Sequence, residues 1–77
     1  MPKYNGHKNW NHWNVSLWIN NDEGLYTLAR DCVRRTSTRA RASHAVLDAL
    51  HDAGITHTPD GAKYSLTSIR AALVGMA

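Results

Sequence analysis

The stretch from Ser37 to Gly54 leaves the chain little conformational choice. Placed at steps of about 100°, Ala42, Ala45, Val46, Ala49, Leu50 and Ala53 fall on one arc, while Arg41, His44, Asp48 and His51 fall opposite. Ser37, in the breaker Thr36-Ser37-Thr38, is the expected N-cap, and Gly54 is the expected C′ residue because glycine enters the left-handed region without steric cost. An amphipathic helix of this kind must bury its alanine-rich face against other elements. The rest of the sequence supplies further helices for that purpose.

Upstream, apolar residues at Trp10, Trp13, Leu17 and Trp18 follow helical spacing, with Asn9 or Asn11 as cap and Asn20-Asn21 as closure. Asp22 and Glu23 open a second helix at its positive dipole end, and its apolar face reads Leu25, Leu28, Ala29, Cys32 and Val33. Downstream, Thr58-Pro59-Asp60-Gly61 is a strong turn signal between Ile55-Thr56-His57 and Ala62-Lys63-Tyr64, which reads as a tiny hairpin or a tight loop. Ser65 then caps a last helix with the stripe Leu66, Ile69, Ala72, Leu73 and Met76. The expected fold is mainly α. It is a small single domain of about four short helices, residues 10–77, with one hairpin-like turn before the last helix, and residues 1–9 form a flexible N-terminal arm.

At 77 residues the chain buries only about 60% of its unfolded surface, which leaves no room for a large catalytic cleft. It has no Phe, so its three Trp are expected to fill the core alongside Leu50, Ile69 and Leu73. The single Cys32 cannot form a disulfide within the chain and reads as a small core residue. With no apolar leader at the start and no apolar run of about 20 residues, the expected location is the cytoplasm, with no membrane partner.

The net charge of +3 is unevenly distributed. Residues 1–33 are neutral overall and residues 44–77 slightly acidic, so the excess comes from Arg34, Arg35, Arg39 and Arg41. Arginine forms bidentate hydrogen bonds to carboxylate and phosphate alike. Arg39 and Arg41 also lie near a helix N-terminus, where positive charge is disfavoured, so folding alone does not account for them. These four are the candidate partner-binding residues. His44, Asp48 and His51 share a helix face, but that face is the solvated one and no second element offers a further ligand, so no metal and no cofactor is expected. No nucleophile–base pairing or glycine-rich phosphate loop is present, which argues against an enzyme.

Two resemblances add to this reading. The stretch YNGHKNWNHWNVSLWINNDEGLY, Tyr4 to Tyr26, resembles the opening of small proteins of bacteriophages and other mobile elements that share the pattern N-W-x-x-W-N-V-x-L-W-I-x-N-D-E. That likeness implies a phage inhibitor of host defence of the anti-CRISPR type. It would be a non-catalytic monomer in the bacterial cytoplasm, binding a CRISPR-Cas effector and blocking its nucleic-acid or partner surface. The segment VLDALHDAGITHTPDGAKYSLTSIRAAL, Val46 to Leu73, is similar to part of the DNA-binding region of large serine recombinases, which carries T-P-x-G, an aromatic residue and then S-x-x-T-V-R-R-I-L. The second arginine of that pattern is Ala71 here, and no recombinase catalytic domain is present. This likeness implies the alternative, a small helix–turn–helix regulator touching nucleic acid through Lys63, Thr67, Ser68 and Arg70. A third reading is an accessory phage protein that self-associates through its tryptophan face.

Overall fold

A computed structural model describes residues 9–74 and 76. Four helices follow one another: α1 (Trp10–Asn21), α2 (Glu23–Arg35), α3 (Arg39–Asp52) and α4 (Leu66–Leu73). Each helix packs on two others, in the cyclic order α1, α2, α3, α4 and back to α1. The mainly α fold expected from the sequence is the fold observed. The arm expected over residues 1–9 lies outside the described residues except for Asn9, which caps α1.

Local hydrogen bonds set most of the boundaries. Asn9 Oδ1 accepts from the His12 amide at 2.9 Å, and Asp22 Oδ2 accepts from the Leu25 amide at 3.0 Å. Ser65 and Ser68 form a capping box at the start of α4. The α3 cap is Thr38 rather than the expected Ser37: its Oγ1 accepts from the Arg41 amide at 3.1 Å. Thr36 is used differently, its hydroxyl donating back to the Cys32 carbonyl at 2.8 Å and closing α2. At the far end of α3, Gly54 adopts φ +77°. Its amide bonds to the His51 carbonyl and that of Ile55 to the Leu50 carbonyl, the paired bonds of a Schellman motif.

The segment between α3 and α4 is the hairpin-like turn. His57 and Lys63 form an isolated antiparallel bridge, flanked by Thr58 N–H to Ala62 O and Tyr64 N–H to Thr56 O. Gly61, at φ +96°, donates its amide to the Thr58 carbonyl and completes the tight turn.

The core comprises Val15 and Ile19 of α1, Ala29 and Cys32 of α2, Ala42, Val46 and Leu50 of α3, Ala62 and Tyr64 of the turn, and Ile69, Ala72 and Leu73 of α4. The face of α1 differs from expectation. Trp10 is 40% and Leu17 39% exposed, Trp13 and Trp18 are half-buried, and Asn14, Val15 and Ile19 point inward. Apolar residues encircle α1, so its own spacing does not choose a face. The neighbouring elements choose it, accepting the compact branched side chains and leaving the indoles at the rim. Leu66 likewise lies outside the core, at 37% exposed, and the volume expected of the tryptophans is filled in part by Tyr64.

Side-chain amides join α1 to the turn. Asn11 Nδ2 donates to the Lys63 carbonyl at 3.0 Å and its Oδ1 accepts from the Lys63 amide at 2.9 Å, so the side chain imitates a paired strand residue. Asn14 Oδ1 accepts from the Thr58 hydroxyl at 2.6 Å, and its Nδ2 donates to Asp60 Oδ2 at 2.8 Å. The Trp18 indole N–H donates to the same carboxylate oxygen at 2.9 Å. Hydrogen bonds from Asn14 and Trp18 hold the Asp60 carboxyl below the usual aspartate range.

Candidate functional site

The Thr36–Thr38 break brings the C-terminal end of α2 and the N-terminal end of α3 to one corner of the molecule. Arg34, Arg35, Arg39 and Arg41 are all exposed there. They are not equivalent. Arg35 Nη2 lies 2.7 Å from Asp31 Oδ2, an i, i+4 pair on the surface of α2, so it alone of the four has an intramolecular ion-pair partner among the described residues. Arg34, Arg39 and Arg41 form no side-chain hydrogen bond or ion pair among the described residues.

Asp31 offsets Arg30 in the charge count along the sequence, but the structure gives that carboxylate to Arg35 and leaves Arg30 unpaired among the described residues. Arg30 stands one turn before Arg34, and Tyr26 one turn earlier again, 37% exposed. Together with Thr27 and Asp31 these side chains line a shallow depression of about 190 Å³ on the outer face of α2. A second, of about 240 Å³, lies at the corner itself between Val33, Thr36, Ser37, Thr38, Arg39 and Met76. The free cations of this surface are therefore Arg30, Arg34, Arg39 and Arg41. The spacing Tyr26, Arg30, Arg34 at every fourth residue is the sequence signal that would have found Arg30.

Cations with no internal partner favour an external anion, because each guanidinium offers five N–H donors in a planar fork. The corner can therefore grip carboxylates or phosphates. Cys32, buried just beneath it at 4% exposure, is no nucleophile for such a ligand: burial pushes its thiol up, only partly countered by the charge of Arg35.

The second candidate surface is the start of α4. Lys63, Thr67 and Arg70 are exposed there, with the Lys63 backbone held by Asn11. Ser68 departs from the expected contact set. It is fully buried, its hydroxyl accepting from the Ser65 amide at 2.9 Å within the capping box, so it faces the core and not a ligand. The connection from Ala53 to Ser65 is also much longer than the roughly 3–4-residue turn of a compact helix–turn–helix.

His44, Asp48 and His51 remain exposed on α3, and among the described residues no group of three His, Cys, Asp or Glu side chains is placed to hold a metal ion. Among those residues no helix is long and apolar enough to cross a membrane. The chain belongs to a family of unknown function, DUF7249, whose family model matches residues 1–76. No curated protein and no solved structure matches it.

Proposed function

We propose that this member of DUF7249 is a non-catalytic binding protein that docks the arginine corner of α2 and α3 onto an anionic surface of a host defence complex. The observation that carries the reading is the set of four exposed guanidinium groups, Arg30, Arg34, Arg39 and Arg41, left without intramolecular partners among the described residues. Two of them sit at the N-terminal end of α3, where the helix dipole opposes positive charge and a bound anion would relieve the cost.

The resemblance of the N-terminal stretch to phage and mobile-element proteins supports a CRISPR-Cas effector as the target. The chain acts as a monomer in the cytoplasm of the bacterial host and needs no cofactor. A basic chain does not imitate DNA. It blocks the effector by occupying an acidic protein face or by contacting the nucleic acid already bound there.

The test is a pull-down from phage-infected host lysate, with and without nuclease, using single Arg→Glu variants. Arg34→Glu and Arg39→Glu are expected to lose the partner, since breaking a desolvated charged contact costs about 2–5 kcal/mol. Arg70→Glu, on the other surface, is expected to retain it. If all four corner variants fold and still capture the partner, the corner is only a solvated surface. The exposed Lys63, Thr67 and Arg70 favour the second reading, a DNA-binding regulator. It takes first place if the protein binds duplex DNA sequence-selectively at about 10⁻⁸ M in physiological salt.

A further inference from the structure

We propose that the groove between the α1–α2 junction and the hairpin-like turn is a binding site for an arginine side chain presented by a partner protein. The groove lies at the N-terminal end of α2, the opposite end from the arginine corner, and the inference is independent of that surface. Its volume is about 390 Å³, and its lining, mostly apolar, includes Trp18, Asp22, Leu25, Ile55, Pro59 and Tyr64. Sites for small organic groups span about 300–1,000 Å³ and combine such walls with a few convergent polar atoms.

The polar atoms are distinctive. Tyr64 is a core residue, only 2% exposed, yet its hydroxyl forms no hydrogen bond among the described residues. Among the described residues no side-chain oxygen or nitrogen sealed from the surface is left unpaired, so this hydroxyl keeps contact with the surface, and Tyr64 lines the groove. An unpaired polar atom on an otherwise buried side chain gains a full hydrogen bond from any ligand that reaches it. Asp22 lines the same groove. Its Oδ2 caps α2, while Oδ1 forms no bond among the described residues. Burial, and secondarily the charge of Asp22, push the Tyr64 hydroxyl up from its ordinary range, so it stays neutral beside an anion. Among the described residues no Lys or Arg lines the groove, and His57 is its one other polar lining residue.

A carboxylate, a neutral phenol and an indole lining one groove select a cation with several N–H donors. Arginine meets each demand. Its planar fork offers donors for both Asp22 Oδ1 and the phenol oxygen, its guanidinium stacks on an aromatic face, and its methylene stem suits the apolar walls. A lysine ammonium is more strongly hydrated and does not stack as a plane. The Trp18 ring is held ready by its bond to Asp60, so little ordering is required on binding.

The test is a titration of the ¹⁵N-labelled full chain with Nα-acetyl-arginine methylamide at mildly alkaline pH, with the neutral isostere Nα-acetyl-citrulline methylamide as control. Saturable shifts are expected at the Trp18 indole N–H and the Ile55 and Tyr64 amides, with the citrulline compound about tenfold or more weaker. Asp22→Asn retains the helix cap, since asparagine caps as well as aspartate, but is expected to lose about tenfold in affinity. Tyr64→Phe is expected to fold normally, having lost no intramolecular bond, and to bind several-fold more weakly. Absence of a saturable shift, equal binding of citrulline, or unchanged binding by Asp22→Asn would overturn the proposal. Should Asp22→Asn fail to fold, the arginine–citrulline comparison on the unmodified chain decides alone.

Discussion

Replacing Asn14 by alanine removes the centre of the device that holds the hairpin-like turn against α1. The Asn14 side chain is 2% exposed, and its Oδ1 accepts from the hydroxyl of Thr58, itself 4% exposed, at 2.6 Å. Thr58 Oγ1 keeps the Ala62 amide as donor at 3.0 Å, but its own proton would be left without an acceptor in the interior. Truncating one partner of a buried hydrogen bond costs about 1–3 kcal/mol, because the remaining group keeps its desolvation penalty. The second bond, to Asp60, ends at a solvated carboxylate and is left out of the sum. The expected loss is then about 2 kcal/mol, against a total of about 4–12 kcal/mol for a chain this size. That corresponds to a fall in Tm of about 8–16 °C. Urea denaturation followed by far-ultraviolet circular dichroism measures it. A double-mutant cycle with Thr58→Val isolates the pair, with a coupling of about 1 kcal/mol expected. A loss below about 0.5 kcal/mol, or strict additivity in the cycle, would refute the claim that this bond holds the turn.

Two further outcomes are expected. Ser68→Ala should cost about 1 kcal/mol by opening the α4 capping box, while Thr67→Ala, on the exposed side, should leave the thermal midpoint nearly unchanged; equal effects would refute the assignment. The Asp60 carboxyl is held low by Asn14 and Trp18, so its contribution is present above the ordinary aspartate pKa and is lost as pH falls through the lower folded value. Thermal melts of the unmodified chain should therefore decline more steeply below about pH 4 than those of Asp60→Asn, and parallel curves would count against the network.

What the amino-acid sequence determined by itself is what neighbours in the chain decide. Asn9, Asp22 and Ser65 cap helices through atoms three residues away, and Gly54 ends α3 through backbone bonds within one turn. The amphipathic arc of α3 and the Thr58–Gly61 turn are legible for the same reason, and so is the four-helix fold. The arginine corner was legible as composition, since four cations in ten residues need no tertiary information. Its usable membership was not: whether Asp31 neutralises Arg30 or Arg35 depends on side-chain reach across a helix surface, and Arg35 has it.

Only the tertiary structure settled the face of α1 and the part its asparagines play. With apolar residues all round the helix, packing against α2, α4 and the turn chose Val15 and Ile19 over Trp10 and Leu17. Asn11 reads as a helix cap and Asn14 carries no local signal of its own, and their partners, Lys63, Thr58 and Asp60, lie more than forty positions away. The unpaired Tyr64 hydroxyl belongs to the same class. Whether a phenol finds a partner depends on every element folded around it, and no local pattern in the chain encodes that.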